Sequence, residues 1–211
     1  MTQSKTPFIV VLSLALTMML GPFSMDTYLP AFPVIGESLG VSQQAVSLSV
    51  SVYVFAMALG QLIGGALSDR FGRQRVLMSG LAIFALSSVV IGVADSLNML
   101  LSGRAVQALG AGFTLVSVPA LVRDRVAGRD AAKLFSMMGF IMVLAPGIAP
   151  SVGSAILALG SWHTIFFALA VYALLLVPLL VRVIFTGTGK VSRAKSPKMS
   201  LLARYKLVLS T

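Results

Sequence analysis

The chain has 211 residues, 57% of them apolar and only 10% charged, with a formal net charge of +10. So little charge cannot cover the surface of a soluble domain, and the composition falls in the membrane class. With no cysteine and a single histidine, a disulfide framework, a thiolate metal site and a histidine metal cluster are excluded.

A spanning helix needs roughly 20 mainly apolar residues. Read in chain order, the predicted spans are six: about 8–33, 43–67, 76–94, 97–122, 131–159 and 162–184. Lys5 precedes the first, but that run is long for a signal-peptide core and no clear cleavage site follows, so it reads as a retained span. The first span holds one charge, Asp26, and the fourth holds Arg104. The last two share a long stretch without Asp, Glu, Lys or Arg, and Gly160-Ser-Trp-His163 is its natural break. The fold class is therefore an all-α membrane protein with a six-helix transmembrane bundle over 1–185. Residues 186–211 read as a basic, flexible linker.

The loops set the orientation. Lys5, Arg70, Arg73, Arg75, Arg123, Arg125, Arg129, Lys133 and the tail from Arg182 all lie on one side. The opposite loops hold Glu37, Asp95 and His163, and no Lys or Arg. The positive-inside rule puts both termini, and the 186–211 tail, in the cytoplasm. Basic residues placed this way fit anionic lipid rather than nucleic acid.

A few residues carry chemistry. A carboxylate in an apolar span costs about 2.5–3.5 kcal/mol on insertion scales, which suits a group that binds and releases a proton. Asp26 stands in DTYLPAFP, where Pro30 and Pro33 bend the helix and free backbone carbonyls. The alternative is that the span ends early and Asp26 is a solvated helix end. At ~1.5 Å per residue Asp26 lies roughly 15 Å deep, counted from Gly36, and Arg104 roughly 9 Å deep, counted from Asn98. Opposite charges at similar depth on two helices are expected to share a polar cavity, with Gln107 one turn from Arg104. The alternative for Arg104 is a headgroup anchor that snorkels outward.

Between the second and third spans, residues 65–77 read GALSDRFGRQRVL, a short charge-dense loop carrying Gly65, Asp69, Arg70, Gly72 and Arg73. The fifth span carries Pro146, Gly147, Pro150 and Gly153 in APGIAPSVG. Its small residues allow close helix approach and its prolines predict a kink. Ser13, Thr17, Ser24 and Thr27 in the first span, with Ser47, Ser51, Tyr53 and Gln61 in the second, either line a water-filled path or make ordinary interhelical contacts. No P-loop, catalytic triad or metal spacing appears, so an enzyme or an ATP-driven pump has no support, and no cofactor is implied.

Four separated motifs resemble one family. Residues 65–77 are similar to the loop between helices two and three of major facilitator superfamily transporters. Arg104, Gln107 and Gly110 resemble its fourth-helix motif. Residues 145–153 resemble the antiporter motif of helix five, with Ser154 where a second glycine is common. Asp26, Tyr28, Pro30 and Pro33 resemble the first-helix signature of drug:proton antiporters, nearest the bicyclomycin/chloramphenicol resistance (Bcr/CflA) subfamily.

The resemblance implies an inner-membrane, proton-coupled multidrug efflux transporter, here its N-terminal half, built as an inverted 3+3 repeat. Asp26 and Tyr28 would face substrate and proton, with Arg104 and Gln107 tuning them. Asp69, Arg70 and Arg73 would form a cytoplasmic gate with Asp124. Pro146, Gly147, Pro150 and Gly153 would shape the helix facing a second six-helix half. The implied partners are a small drug-like molecule, protons, the lipid bilayer and that second half. A metabolite transporter on the same fold, a non-transporting remnant and a dimerising half-unit are the alternatives.

Overall fold

The computed structural model describes residues 8–124, 126 and 128–186. Among them every regular element is helical: α1 Phe8–Thr27, a 3-10 turn Leu29–Ala31, α2 Phe32–Leu39, α3 Gln43–Phe71, α4 Arg73–Ile91, α5 Leu97–Arg123, α6 Gly128–Leu159, α7 Trp162–Leu180 and a π-turn Val181–Phe185. They form six helices or helix pairs long and apolar enough to cross a membrane. The predicted termini Lys5 and 187–211 lie outside the described residues, as does Arg125.

The first span is not one straight helix. It runs through Phe8–Leu39 but breaks at Tyr28, where the 3-10 turn begins. Pro30 and Pro33 lack the N–H groups that would continue the ladder, so the chain tightens and then restarts as α2. Asp26 stands one residue before the end of α1, and apolar helix resumes beyond it in α2.

The basic loop is also shorter than the sequence suggests. Helix α3 continues through Asp69, Arg70 and Phe71, and α4 begins at Arg73. Gly72 alone separates them, at φ +93°, a region that glycine enters without steric cost. Charged residues beyond the apolar run do not break a helix; they only end its hydrophobicity.

Glycines set how closely the helices pack. Helix α5 is the most enclosed span and α6 the least, with 61% and 17% of their most apolar stretches buried. A Cβ added at Gly60 would stand 2.6 Å from the Leu109 carbonyl oxygen, and one at Gly112 would stand 2.5 Å from that of Met57. One at Gly110 would stand 2.7 Å from the Gly80 carbonyl oxygen. So α3 and α4 both lie backbone to backbone on α5. Helix α1 packs along α6, where Ala145, Ala149 and Gly153 are buried. Span two on span four, and span one on span five, are equivalent pairs when two three-helix repeats are inverted. The contact pattern is that of two inverted three-helix units.

Candidate functional site: a caged arginine

Arg104 is fully buried, so it is not a headgroup anchor. Its guanidinium carbon lies 4.0 Å from the Tyr53 ring centre, 4.3 Å from that of Tyr28 and 5.8 Å from that of Phe166. Ring faces carry negative quadrupole charge, and a desolvated contact of this kind contributes about 2 kcal/mol. The cage is built by three segments: Tyr28 at the bend after α1, Tyr53 on α3 and Phe166 on α7. Both tyrosines are pinned at the hydroxyl. Tyr28 bonds Ser49 on α3, while Tyr53 lies 2.7 Å from Ser24 Oγ and 3.1 Å from the Gly21 carbonyl oxygen on α1. Each helix thus supplies a tyrosine to a serine on the other.

Hydrogen bonds complete the site. Arg104 Nη1 donates to Gln107 Oε1 at 2.6 Å, and Gln107 Nε2 donates to Ser88 Oγ on α4 at 2.7 Å. Arg104 Nε and Nη2 have no partner among the described residues.

Asp26 stands half-buried near the end of α1. Among the described residues the ion pairs are Arg73 with Asp69 and Arg73 with Asp124. The expected joint cavity therefore does not bring Asp26 and Arg104 into a pair. Aromatic faces, rather than the carboxylate, surround the guanidinium. The small polar residues of α1 find their partners inside the helices. Ser13, Thr17 and Thr27 are buried and bond carbonyls of their own helix. A hydroxyl in a helix commonly satisfies itself this way.

The cytoplasmic motif converges on one side chain. Arg73 Nη1 lies 2.6 Å from Asp69 and 3.1 Å from Ser68 Oγ, and Arg73 Nε lies 3.2 Å from Asp124. The ends of α3, α4 and α5 are tied there. Arg70 is exposed and lies over the Phe71 ring at 5.1 Å. Gly65 makes an ordinary approach, 3.8 Å from an added Cβ to Val116.

The antiporter-like stretch divides between two faces. Gly153 faces α1, where its added Cβ would fall 1.7 Å from the Thr27 carbonyl oxygen. Pro146 and Gly147 are exposed and Pro150 is half-buried. So Gly153 packs within the six-helix unit, and only Pro146, Gly147 and part of Pro150 are available to anything beyond it. Tyr53 was one of several polar candidates in the sequence, and its stacking on Arg104 had no local signal. Phe166 and Ser88 had none.

Comparison with known proteins places this geometry in a family. Residues 14–210 match the model of the Major Facilitator Superfamily. A Bacillus subtilis relative called an uncharacterized MFS-type transporter, YdgK, is 39% identical over 79% of this chain and 42% of its own length. The bicyclomycin resistance protein homolog of Haemophilus influenzae is 32% identical over 99% of this chain and 52% of its own. The multidrug resistance protein MdtL of Escherichia coli O9:H4 is 35% identical over 76% and 41%. The chain spans about half the length of the curated relatives it matches. The proton:xylose symporter XylE superposes with a TM-score of 0.74 at 18% identity, over 85% of this chain and 45% of the symporter. At that identity the likeness speaks to fold. The chain is a multi-pass membrane protein of a family of transporters, not enzymes, and it belongs to the Major Facilitator Superfamily.

Proposed function

We propose that the chain is the N-terminal half of a proton-coupled exporter of small drug-like molecules in the bacterial inner membrane, within the bicyclomycin/chloramphenicol resistance group. The observation that carries this reading is a pair of opposite intramembrane charges that do not neutralise each other. Arg104 is caged by rings, and Asp26 is left half-buried with neither an ion pair nor a hydrogen bond among the described residues. A carboxylate is costly in an apolar span, and we assign Asp26 the role of proton carrier. The drug-resistance names of two relatives support the substrate class.

Arg104 and Gln107 modulate that carrier, and Tyr28 joins them to the first span. Asp69, Arg70, Arg73 and Asp124 act as the cytoplasmic gate, with Gly65 and Gly72 shaping its turn. Pro146, Gly147, Pro150 and Gly153 shape the α6 surface that limits leak. A second six-helix half supplies the other wall, and both termini are cytoplasmic.

The test is ethidium or chloramphenicol efflux from drug-sensitive bacteria, with and without a proton uncoupler. The 211-residue chain is expressed alone and joined to a candidate second half. Uncoupler-sensitive efflux from the joined form alone is the expected result. Efflux from the short chain would show that it assembles its own pathway. Absence of drug efflux in both forms, with both present in the membrane, would remove the drug-export reading and favour a metabolite transporter or a non-transporting remnant.

A further inference from the structure

Ser88, a residue of α4 with no assigned role, sets the direction of the hydrogen bonds at Arg104. The polarity of the chain Arg104–Gln107–Ser88 is fixed at every link. A guanidinium is donor only, so Gln107 must present its carbonyl oxygen to Arg104. Its amide nitrogen is then left to donate to Ser88 Oγ at 2.7 Å. Ser88 must accept, and its own hydrogen goes to the Phe84 carbonyl oxygen at 2.6 Å. Ser88 is fully buried, as are Arg104 and Gln107, so no surface water competes.

The packing of α4 on α5 explains why so short a side chain reaches. Around Gln107, the neighbouring positions on the same face of α5 are glycines. A Cβ at Gly110 would stand 2.7 Å from Phe84 N, and one at Gly103 would stand 2.5 Å from Ile91 Cγ1. The two helices are drawn together above and below the Gln107–Ser88 contact, and a serine bridges what remains.

We infer that Ser88 is a positioning residue for transport. It locks the Gln107 amide so that its oxygen faces Arg104, and it thereby fixes where the unpaired Nε and Nη2 donors point. Without the hydroxyl the amide can turn, present nitrogen to a donor-only cation, and release the guanidinium from its one hydrogen-bond acceptor among the described residues. This rests on the reading that the Arg104–Gln107 cluster serves proton-coupled transport.

The experiment uses the transport-competent form, reconstituted in lipid vesicles, with drug flux measured against external pH. The variants are Ser88→Ala, Ser88→Thr, Gln107→Leu, Arg104→Lys and the double variant Ser88→Ala/Gln107→Leu. Thermal unfolding of each is measured alongside. Ser88→Ala is expected to lower the maximal rate roughly tenfold, the equivalent of about one buried hydrogen bond, and to displace the pH profile. Ser88→Thr, which keeps a hydroxyl that bonds the same carbonyl, should restore both. Ser88→Ala should add nothing once Gln107 is leucine.

A wild-type rate and profile in Ser88→Ala, with Gln107→Leu and Arg104→Lys impaired, would overturn the inference and leave the functional reading standing. Equal loss of rate and of thermal stability in Ser88→Ala and Ser88→Thr would assign Ser88 to packing alone and overturn it as well. Unimpaired proton-driven flux in Gln107→Leu and Arg104→Lys would remove the cluster from the mechanism, and this inference with it.

Discussion

Glycine 153 offers a test with its control on the same helix. In Gly153→Ala the new methyl would lie 1.7 Å from the Thr27 carbonyl oxygen and 2.7 Å from its carbon. Both are backbone atoms, so no side-chain rotation relieves the overlap. Reaching an ordinary 3.4 Å contact moves α1 and α6 apart by about 1.7 Å. A gap half that size already forfeits a quarter to a half of each dispersion contact. Overpacking of this kind costs about 3 kcal/mol, at the upper end of its usual range. Against this, alanine gains about 1 kcal/mol of helix propensity over glycine. The net loss is about 2 kcal/mol. At Gly139 and Gly147, also on α6, nothing lies within 4 Å of an added Cβ, so only the propensity gain remains. Unfolding of the purified 211-residue chain in mixed detergent micelles should show Gly153→Ala destabilised, and Gly139→Ala and Gly147→Ala unchanged or slightly more stable. Equal stability of Gly153→Ala and Gly147→Ala would refute the backbone approach of α6 to the end of α1.

Three other substitutions have definite outcomes. Asp26→Asn in the complete transporter should abolish efflux driven by a pH gradient while membrane levels stay normal; unchanged uphill efflux would take Asp26 out of the mechanism. Tyr53→Phe keeps the ring over Arg104 and loses the hydroxyl contacts to Ser24 and Gly21, a cost of about 1 kcal/mol in unfolding experiments. Tyr53→Leu removes the ring face as well and should cost clearly more; equal values for the two would mean that stacking on Arg104 contributes nothing. Asp124→Asn breaks a contact whose carboxylate is 52% exposed, so unfolding should shift by less than about 1 kcal/mol, while drug flux through the complete transporter falls. A large stability loss there would mark the Arg73 cluster as a structural tie rather than a gate.

The six spans could be read from the chain because each follows from the length of an apolar run, a local property. Pro30 and Pro33 announced the bend after α1 for the same reason. The connection between the second and third spans was misjudged in length. Hydropathy falls at Asp69, but backbone geometry changes only at Gly72, and charge outside the bilayer has no bearing on helical hydrogen bonding. At the candidate site, Asp26 and Arg104 stood out because intramembrane charge is rare, Gln107 because it lies one turn from Arg104, and Tyr28 only through the first-helix resemblance. The sequence did not disclose what surrounds Arg104. Tyr53 and Phe166 reach it from distant segments, and aromatic residues are common in any span. The contact of Arg73 with Asp124 was expected from the family resemblance of the 65–77 motif, not from the apolar runs themselves. Ser88 is one of many helical serines, and its partner on α5 becomes visible only once Gly103 and Gly110 have set the helices' separation.

The close glycine contacts also decide where the bundle can shear. Helices α3, α4 and α5 meet through main-chain atoms at Gly60, Gly80, Gly110 and Gly112, and a surface made of backbone has no rotamers with which to absorb sliding. Helix α1 meets α3 and α5 through side chains: the nearest atoms to an added Cβ at Gly21 are Met57 Sδ and Ala111 Cβ, each at 3.3 Å. A thioether there is deformable. The compliant seam therefore runs along α1, and the cage straddles it. Tyr53, Gln107 and Ser88 travel with Arg104, whereas Tyr28 lies across the seam. Rocking of the first span shifts the Tyr28 ring against the guanidinium while Tyr53 stays in place on α3, so one wall of the three-ring cage moves and another holds.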